Sequence, residues 1–154
     1  MKYWWFLGIV ALCGCAPTPE PPALEPCRVS MILDQQLPPA LTLVMPEPTG
    51  NKLEDLRAYR LALGRRQQRA EQVRHLVGLT QGQHPEIKTA YYAFLNAEVE
   101  FVRAKRIQVD IEITAEEAKK PDPRVKLQAK RVGALETAAR SAQVVYETAR
   151  KKCQ

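Results

Sequence analysis

Four cysteines are the side chains of this sequence best suited to covalent chemistry: Cys13, Cys15, Cys27 and Cys153. A cysteine thiol can be acylated, oxidised to a disulfide or bound to a metal ion. The two histidines each stand alone, and neither joins a cysteine at a spacing typical of metal ligands. We therefore expect no metal site, and the cysteines point to lipid attachment or to disulfide formation.

Other groups that could support catalysis are sparse. The chain has no glycine-rich phosphate loop, and its only serines, Ser30 and Ser141, lie in no nucleophile motif. Neighbouring carboxylates, as at Glu116–Glu117 and at Glu98 with Glu100, fit solvated helix faces better than an acid–base pair. The sequence therefore predicts a protein that is not an enzyme and that needs no cofactor.

The N-terminus carries a targeting signal. Lys2 precedes an apolar run from Tyr3 to Leu12, which is far shorter than the roughly 20 residues of a membrane-spanning helix. The next residues, Leu12-Cys13-Gly14-Cys15, resemble the lipobox of bacterial lipoprotein precursors, with small Gly14 before the cut. The resemblance implies that residues 1–14 are a signal peptide and that the sulfur of Cys15 takes a diacylglyceryl group. The alternative is a short apolar N-terminus with two chance cysteines.

Lipidation would also set the compartment. Acyl chains on Cys15 would insert in a lipid bilayer and hold the rest of the chain in the periplasm. Ala16 follows the lipidated cysteine, where lipoproteins kept in the inner membrane often have aspartate. By that sorting rule we expect the protein at the periplasmic face of the outer membrane.

Cys27 and Cys153 would then lie in an oxidising compartment, where disulfides persist. They could pair within one chain, each could cross-link two chains, or they could stay free. Of these three arrangements we favour a bridge between two chains.

Proline dominates the segment after the lipidation site. Nine of the 12 prolines lie between Pro17 and Pro48, and proline disfavours both helix and sheet. Residues 15–50 are therefore predicted to be an extended linker. At roughly 3.1 Å per residue it could reach on the order of 100 Å.

Helical patterns fill the rest of the chain, so the predicted fold is all-α. Residues 51–79 read as one short amphipathic helix that Asn51 caps, with Glu54 completing a capping box. Residues 85–153 read as a long antiparallel helical hairpin, in which Pro85 starts one helix and Pro121-Asp122-Pro123 starts the next. Residues 107–113 alternate as a strand would, but we predict helix because helical sequence flanks them. So thin a core would gain from homo-oligomerisation.

The linker and first helix resemble a known family. The phrase Gln36-Leu37-Pro38-Pro39-Ala40-Leu41-Thr42, Cys27 before it and the helix from Leu56 to Val77 after it are similar to the outer-membrane spanin lipoproteins of tailed phages. The match covers roughly residues 12–78. The chain departs from the family in having Arg65-Arg66-Gln67 where a Cys-Asn is frequent, and in the 75 residues or so that follow the helix.

The resemblance implies a mechanical function in host cell lysis. The lipoprotein would bind the periplasmic coiled coil of an inner-membrane partner, and collapse of the complex would disrupt the outer membrane. The residues expected to bind this partner are the apolar stripe of the first helix: Leu53, Leu56, Tyr59 and Leu63. The alternative is a cell-envelope lipoprotein acting as a structural tether, or as a secretion, conjugation or exclusion accessory. The net charge of +6 is spread among acidic residues, so we expect no nucleic acid partner.

Overall fold

The structure is a computed structural model that describes residues 25–28, 46–81 and 84–153. Within these ranges the chain forms three long helices and no strand. Helix α1 spans Lys52–Leu79, α2 spans Pro85–Ala118 and α3 spans Arg124–Arg150, followed by one 3₁₀ turn at Lys151–Cys153. The all-α expectation is confirmed, and residues 107–113 are helical within α2.

Local sequence signals account for the helix boundaries. The side chain of Asn51 accepts hydrogen bonds from the backbone N–H groups of Leu53 and Glu54, which satisfies donors that a helix start leaves unpaired. Pro85 occupies the first turn of α2, where its missing N–H is not needed. The carboxylate of Asp122 accepts from the N–H of Arg124 at 2.8 Å and so supports the start of α3.

The capping box expected at the start of α1 is only half present. The backbone N–H of Asn51 donates to Thr49 Oγ1 at 3.2 Å, not to Glu54. Thr49 in turn donates from its own N–H and hydroxyl to Asp55 Oδ1, at 2.8 and 2.9 Å. Asp55 therefore anchors the residues that lead into the helix, a role that the sequence pattern did not assign to it.

Helix α2 is the centre of the fold. It packs against both α1 and α3 more extensively than those two helices contact each other. The predicted hairpin of α2 and α3 is therefore present, but α1 packs on it as a third helix. The buried side chains form two clusters along α2, one around Tyr91 and Leu95 and the other around Val102 and Val109.

Helix α3 contributes a narrow seam to this core. Its residues turned towards α2 follow one another at alternating steps of three and four, and all are buried or half-buried: Val125, Gln128, Val132, Leu135, Ala139, Ala142, Tyr146 and Ala149. This is the a/d spacing of a coiled coil. Outside the seam most residues of α3 are exposed, and only Glu136, Gln143 and Arg150 are half-buried.

Candidate functional site

A disulfide closes one end of the bundle. Cys27 and Cys153 are bonded within a single chain, with their Cα atoms 5.6 Å apart, a separation ordinary for disulfides. The two residues that the sequence singled out are thus brought together. The bridge between two chains that we favoured is not the arrangement that the structure has.

Aromatic rings underlie this end of the bundle. The rings of Tyr91 and Tyr146 stack with centroids 4.2 Å apart, and Phe94 lies 5.9 Å from Tyr146 in a nearly parallel plane. Both bridged cysteines pack against the cluster that contains these rings. The disulfide therefore fastens the segment at Cys27 onto apolar core rather than onto a solvated surface.

A buried ion pair joins α1 to α2. The Nε atom of Arg66 donates to Glu98 Oε1 at 2.6 Å, and Nη2 of the same guanidinium lies 2.5 Å from that oxygen. Both side chains are almost fully buried, and burial lowers the pKa of Arg66 although Glu98 opposes the shift. The expectation that Glu98 lies on a solvated face was wrong: it points into the core, where α1 supplies its counter-charge.

The apolar stripe of α1 is used for internal packing. Leu63 is 2 % exposed in the cluster around Val102, and Leu56 and Tyr59 pack against the same cluster. Leu53 is half-buried near the start of the helix. The four residues do share one face, as their spacing indicates, but α2 covers most of it. A partner could reach Leu63 only after α1 had separated from α2.

Burial also changes the acid–base behaviour of Tyr59. Loss of water around its hydroxyl raises the pKa of the phenol, and the negative charges of Glu112 and Glu136 raise it further. The phenol is therefore neutral throughout the physiological range, which suits a residue at the edge of an apolar cluster.

The other end of the bundle carries a groove of about 720 Å³ between the start of α1 and the α2–α3 turn. Two of its three carboxylates are held in ion pairs, Glu116 with Lys52 and Asp122 with Arg124, which lowers the pKa of Asp122, and the third, Glu112, accepts a hydrogen bond from Gln108. Acidic groups held in ion pairs are poor candidates for proton transfer. Of these two ion pairs, Lys52–Glu116 joins α1 to α2, whereas Asp122–Arg124 stays at the start of α3.

The two histidines lie in the described part of the chain, whereas the proposed lipidation site does not. His75 is exposed on α1, and His84 precedes α2, where its Nδ1 lies 3.5 Å from Glu86. No group of three potential metal ligands occurs in ranges 25–28, 46–81 and 84–153. The lipidation site Cys15 and the cleavage position Gly14 lie outside the described residues.

Comparisons of the chain with models of protein families, with curated proteins and with solved structures find no match. None of the helices in the described part of the chain is both long enough and apolar enough to span a membrane. The described part of the chain is an all-α protein of three packed helices, with α2 in the middle and an intrachain disulfide at one end.

Proposed function

We propose that this chain is the outer-membrane lipoprotein subunit of a phage spanin complex. The lipid anchor is carried by Leu12-Cys13-Gly14-Cys15 at the end of a short apolar run, and the spanin role by the phrase Gln36-Leu37-Pro38-Pro39-Ala40-Leu41-Thr42 with the helix that follows it. A lipid on Cys15 would anchor the chain, the part of the Pro-rich segment before Cys27 would join the membrane to the bundle, and an inner-membrane partner would bind in the periplasm.

The role requires association and folding energy but no bond-making step. Three features support it: an intrachain disulfide, which persists in an oxidising compartment; helices long enough to form a rod of roughly 40 Å or more; and carboxylates that are committed to ion pairs. Collapse of the joined complex would draw the two membranes together at the last step of host lysis.

A second function is favoured by the length of the chain beyond α1. The hairpin of α2 and α3 covers α1 rather than leaving it free, and the spanin-like helix is usually the last element of that family. A cell-envelope lipoprotein that acts as a structural tether, or as a secretion, conjugation or exclusion accessory, would use the same anchor and the same bundle without lysis.

Metabolic labelling with radioactive palmitate tests the anchor. The native chain and the Cys13→Ser variant are expected to take up label and to lose residues 1–14, whereas Cys15→Ser is expected to do neither. The two substitutions are chemically matched and lie two residues apart. Label that follows Cys13, or a native product whose mass retains the first 14 residues, would overturn the lipoprotein assignment.

A lysis assay separates the two functions. With the gene deleted and the outer membrane stabilised by magnesium, a spanin subunit is expected to leave cells that stop growing but do not burst. Restoring the native gene should restore lysis, and the Cys15→Ser allele should not. Unchanged lysis after deletion would discard the spanin role and leave the envelope lipoprotein.

A further inference from the structure

The solvent side of α3 has a continuous uncharged face. We call it the outer face of α3, and every member is exposed: Gly133, Ala134, Thr137, Ala138, Ser141, Val144, Val145 and Thr148. Val144 and Val145 are each about 60 % exposed. Over more than four turns of helix no charged side chain interrupts this face, which is unusual on the solvent side of a helix.

The face is more apolar than its composition indicates. The hydroxyl of Thr137 donates to the carbonyl of Gly133 at 3.0 Å, and the hydroxyl of Thr148 donates to the carbonyl of Val144 at 2.8 Å. Both threonines thus direct their hydroxyls at their own helix. What remains at the surface is mainly methyl groups and backbone, and a Cβ added at Gly133 would meet nothing within 4 Å.

Basic residues lie at both ends of this face. Lys126, Lys130 and Arg131 lie exposed towards the start of α3, and none of them makes an ion pair with the described part of the chain. Lys151 and Lys152 follow its last turn, and Lys152 Nζ lies 3.7 Å from Glu86. The acidic residues beside the face are already bonded, Glu136 to Arg140 at 2.7 Å and Glu147 to the amide of Gln143 at 2.8 Å.

We propose that the outer face of α3 is a docking surface for an acidic helix of a partner protein. The small residues allow the two helix backbones to approach closely, and the valines supply apolar contact. Acidic side chains at the two ends of the partner's apolar seam would meet Lys130 and Arg131 at one end of the face and Lys151 at the other. The proposal rests on α3 alone and holds whether or not Cys15 carries lipid.

A second copy of this chain fits the face poorly. An antiparallel pair centred on the face would set Lys130 against Lys151, and a parallel pair would set Lys130 against itself. Like charges at such positions oppose pairing. A lipid surface also fits less well, because helices that lie in membranes present large side chains such as Leu, Phe and Trp.

The test uses two synthetic helices about four heptads long, with Val and Ala in the seam and either Glu or Lys beside the seam in the first and last turns. Their binding to the purified mature chain is followed by fluorescence anisotropy. The Glu peptide is expected to bind and the Lys peptide is not. The double variant Lys130→Glu/Arg131→Glu should weaken binding of the Glu peptide by roughly tenfold or more, which is about 1.4 kcal/mol.

A matched pair of substitutions separates docking from simple charge attraction. Ala138→Arg puts a bulky cation in the middle of the face, whereas Ala129→Arg puts the same cation on an exposed position of α3 outside it. Arginine is a good helix former, so both variants should fold, which circular dichroism checks. Docking predicts weaker binding for Ala138→Arg and unchanged or tighter binding for Ala129→Arg.

Several results would overturn the proposal. The Glu peptide could fail to bind, or both arginine variants could bind it more tightly, which would indicate charge attraction alone. Displacement of the peptide by phosphatidylglycerol but not by phosphatidylcholine vesicles would assign the face to lipid. A dimer in sedimentation that Ala138→Arg dissociates would assign it to a second copy. None of these outcomes depends on palmitate labelling or lysis, so this proposal and the spanin role fail separately.

Discussion

Arg66 and Glu98 form their ion pair inside the core, where both charges have lost most of their contact with water. The desolvation cost of two buried charges offsets much of their attraction, so such a pair adds little net stability compared with apolar side chains. Removing one partner lowers the stability of the fold, because the remaining charge is then buried alone. A register of α1 along α2 that separated the two charges is therefore expected to be strongly disfavoured.

Glu98→Ala is expected to lower the free energy of unfolding by about 3 kcal/mol or more, because it leaves the Arg66 guanidinium buried without its counter-charge. Urea unfolding followed by circular dichroism measures the change. The control is Glu136→Ala, which breaks the exposed pair with Arg140 and should cost no more than about 0.5 kcal/mol. The double variant Arg66→Met/Glu98→Leu should recover most of the loss. Equal effects of Glu98→Ala and Glu136→Ala would contradict the buried pair.

Tyr59 gives a pH-dependent stability at alkaline pH. Its pKa is raised in the folded protein, so the folded state holds the phenolic proton more tightly than the unfolded state does. Stability from this group is fully present below about pH 10, the ordinary pKa of tyrosine, and is lost as the pH rises from there through the folded pKa.

Tyr59→Phe is therefore expected to flatten the stability profile above about pH 10 relative to the native chain. Unfolding in urea at a series of pH values gives the comparison, and the difference between the two proteins cancels the contribution of the lysines. Tyr92→Phe is the control, since Tyr92 is 40 % exposed. A profile for Tyr59→Phe that parallels the native one would show that the phenol is not buried in solution.

The turn between α2 and α3 contains a local strain. Lys119 ends α2 in the left-handed region, with φ 52°. Its N–H and that of Lys120 bond back to the carbonyls of Glu116 and Ala115, both at 3.1 Å. This is the helix ending that normally carries glycine, because a Cβ is disfavoured at positive φ. Pro121 two residues later prevents the helix from continuing.

Lys119→Gly is expected to stabilise the bundle by roughly 0.5 to 1 kcal/mol, because relief of the left-handed strain exceeds the extra backbone entropy of glycine in the unfolded chain. Lys120→Gly removes the same charge one residue later, where φ is not positive, and should be neutral or destabilising. Thermal unfolding of the two variants decides the matter. A lower midpoint for Lys119→Gly than for Lys120→Gly would contradict this turn geometry.

At the scale of the molecule, the disulfide stabilises the bundle by linking two distant parts of the chain. It joins residues 126 positions apart in the sequence and so restricts the unfolded chain strongly. In the chain-entropy model a loop of this size contributes about 4 to 5 kcal/mol of stability. We expect the oxidised chain to run as a monomer on a non-reducing gel and Cys153→Ser to unfold at a lower urea concentration. A dimer band that dithiothreitol removes would contradict the intrachain bridge.

The bridge also shortens the proposed tether. With Cys15 in the membrane, the disulfide holds the bundle at Cys27, 12 positions from the anchor, a reach of about 40 Å at full extension. In a chain whose bridge is reduced and whose segment 25–28 has left the bundle, the next described residue bonded to a helix is Thr49, 34 positions from the anchor, and the reach grows to about 115 Å.

Reduction is therefore expected to move the bundle away from the membrane. A fluorescent donor at Lys120, at the end opposite the disulfide, and acceptors among the lipid headgroups of vesicles would report the change as a loss of energy transfer. The double variant Cys27→Ser/Cys153→Ser should show the low transfer without reductant and should not respond to it. Identical transfer in the oxidised and reduced protein would exclude the bridge as a limit on reach.

Local signals in the sequence determined the helices. Asn51, Pro85 and the prolines around Asp122 act through bonds and clashes within a few residues of themselves, so α1, α2 and α3 begin close to where the pattern predicts. Residues 107–113 became helical because flanking helix outweighs the strand propensity of a few β-branched side chains. The spacing of Leu56, Tyr59 and Leu63 likewise predicted one apolar face, because any helix with that spacing places the three side chains on the same side.

Only the tertiary structure decided what those faces contact. An apolar stripe has the same residue spacing whether a partner protein or a neighbouring helix covers it. The spacing therefore could not predict that α2 covers Leu63. The pairing of Arg66 with Glu98 depends on how α1 is aligned along α2. The pairing of Cys27 with Cys153 depends on two segments, far apart in the sequence, lying next to each other. Each depends on distances between residues far apart in the sequence, which periodicity does not contain.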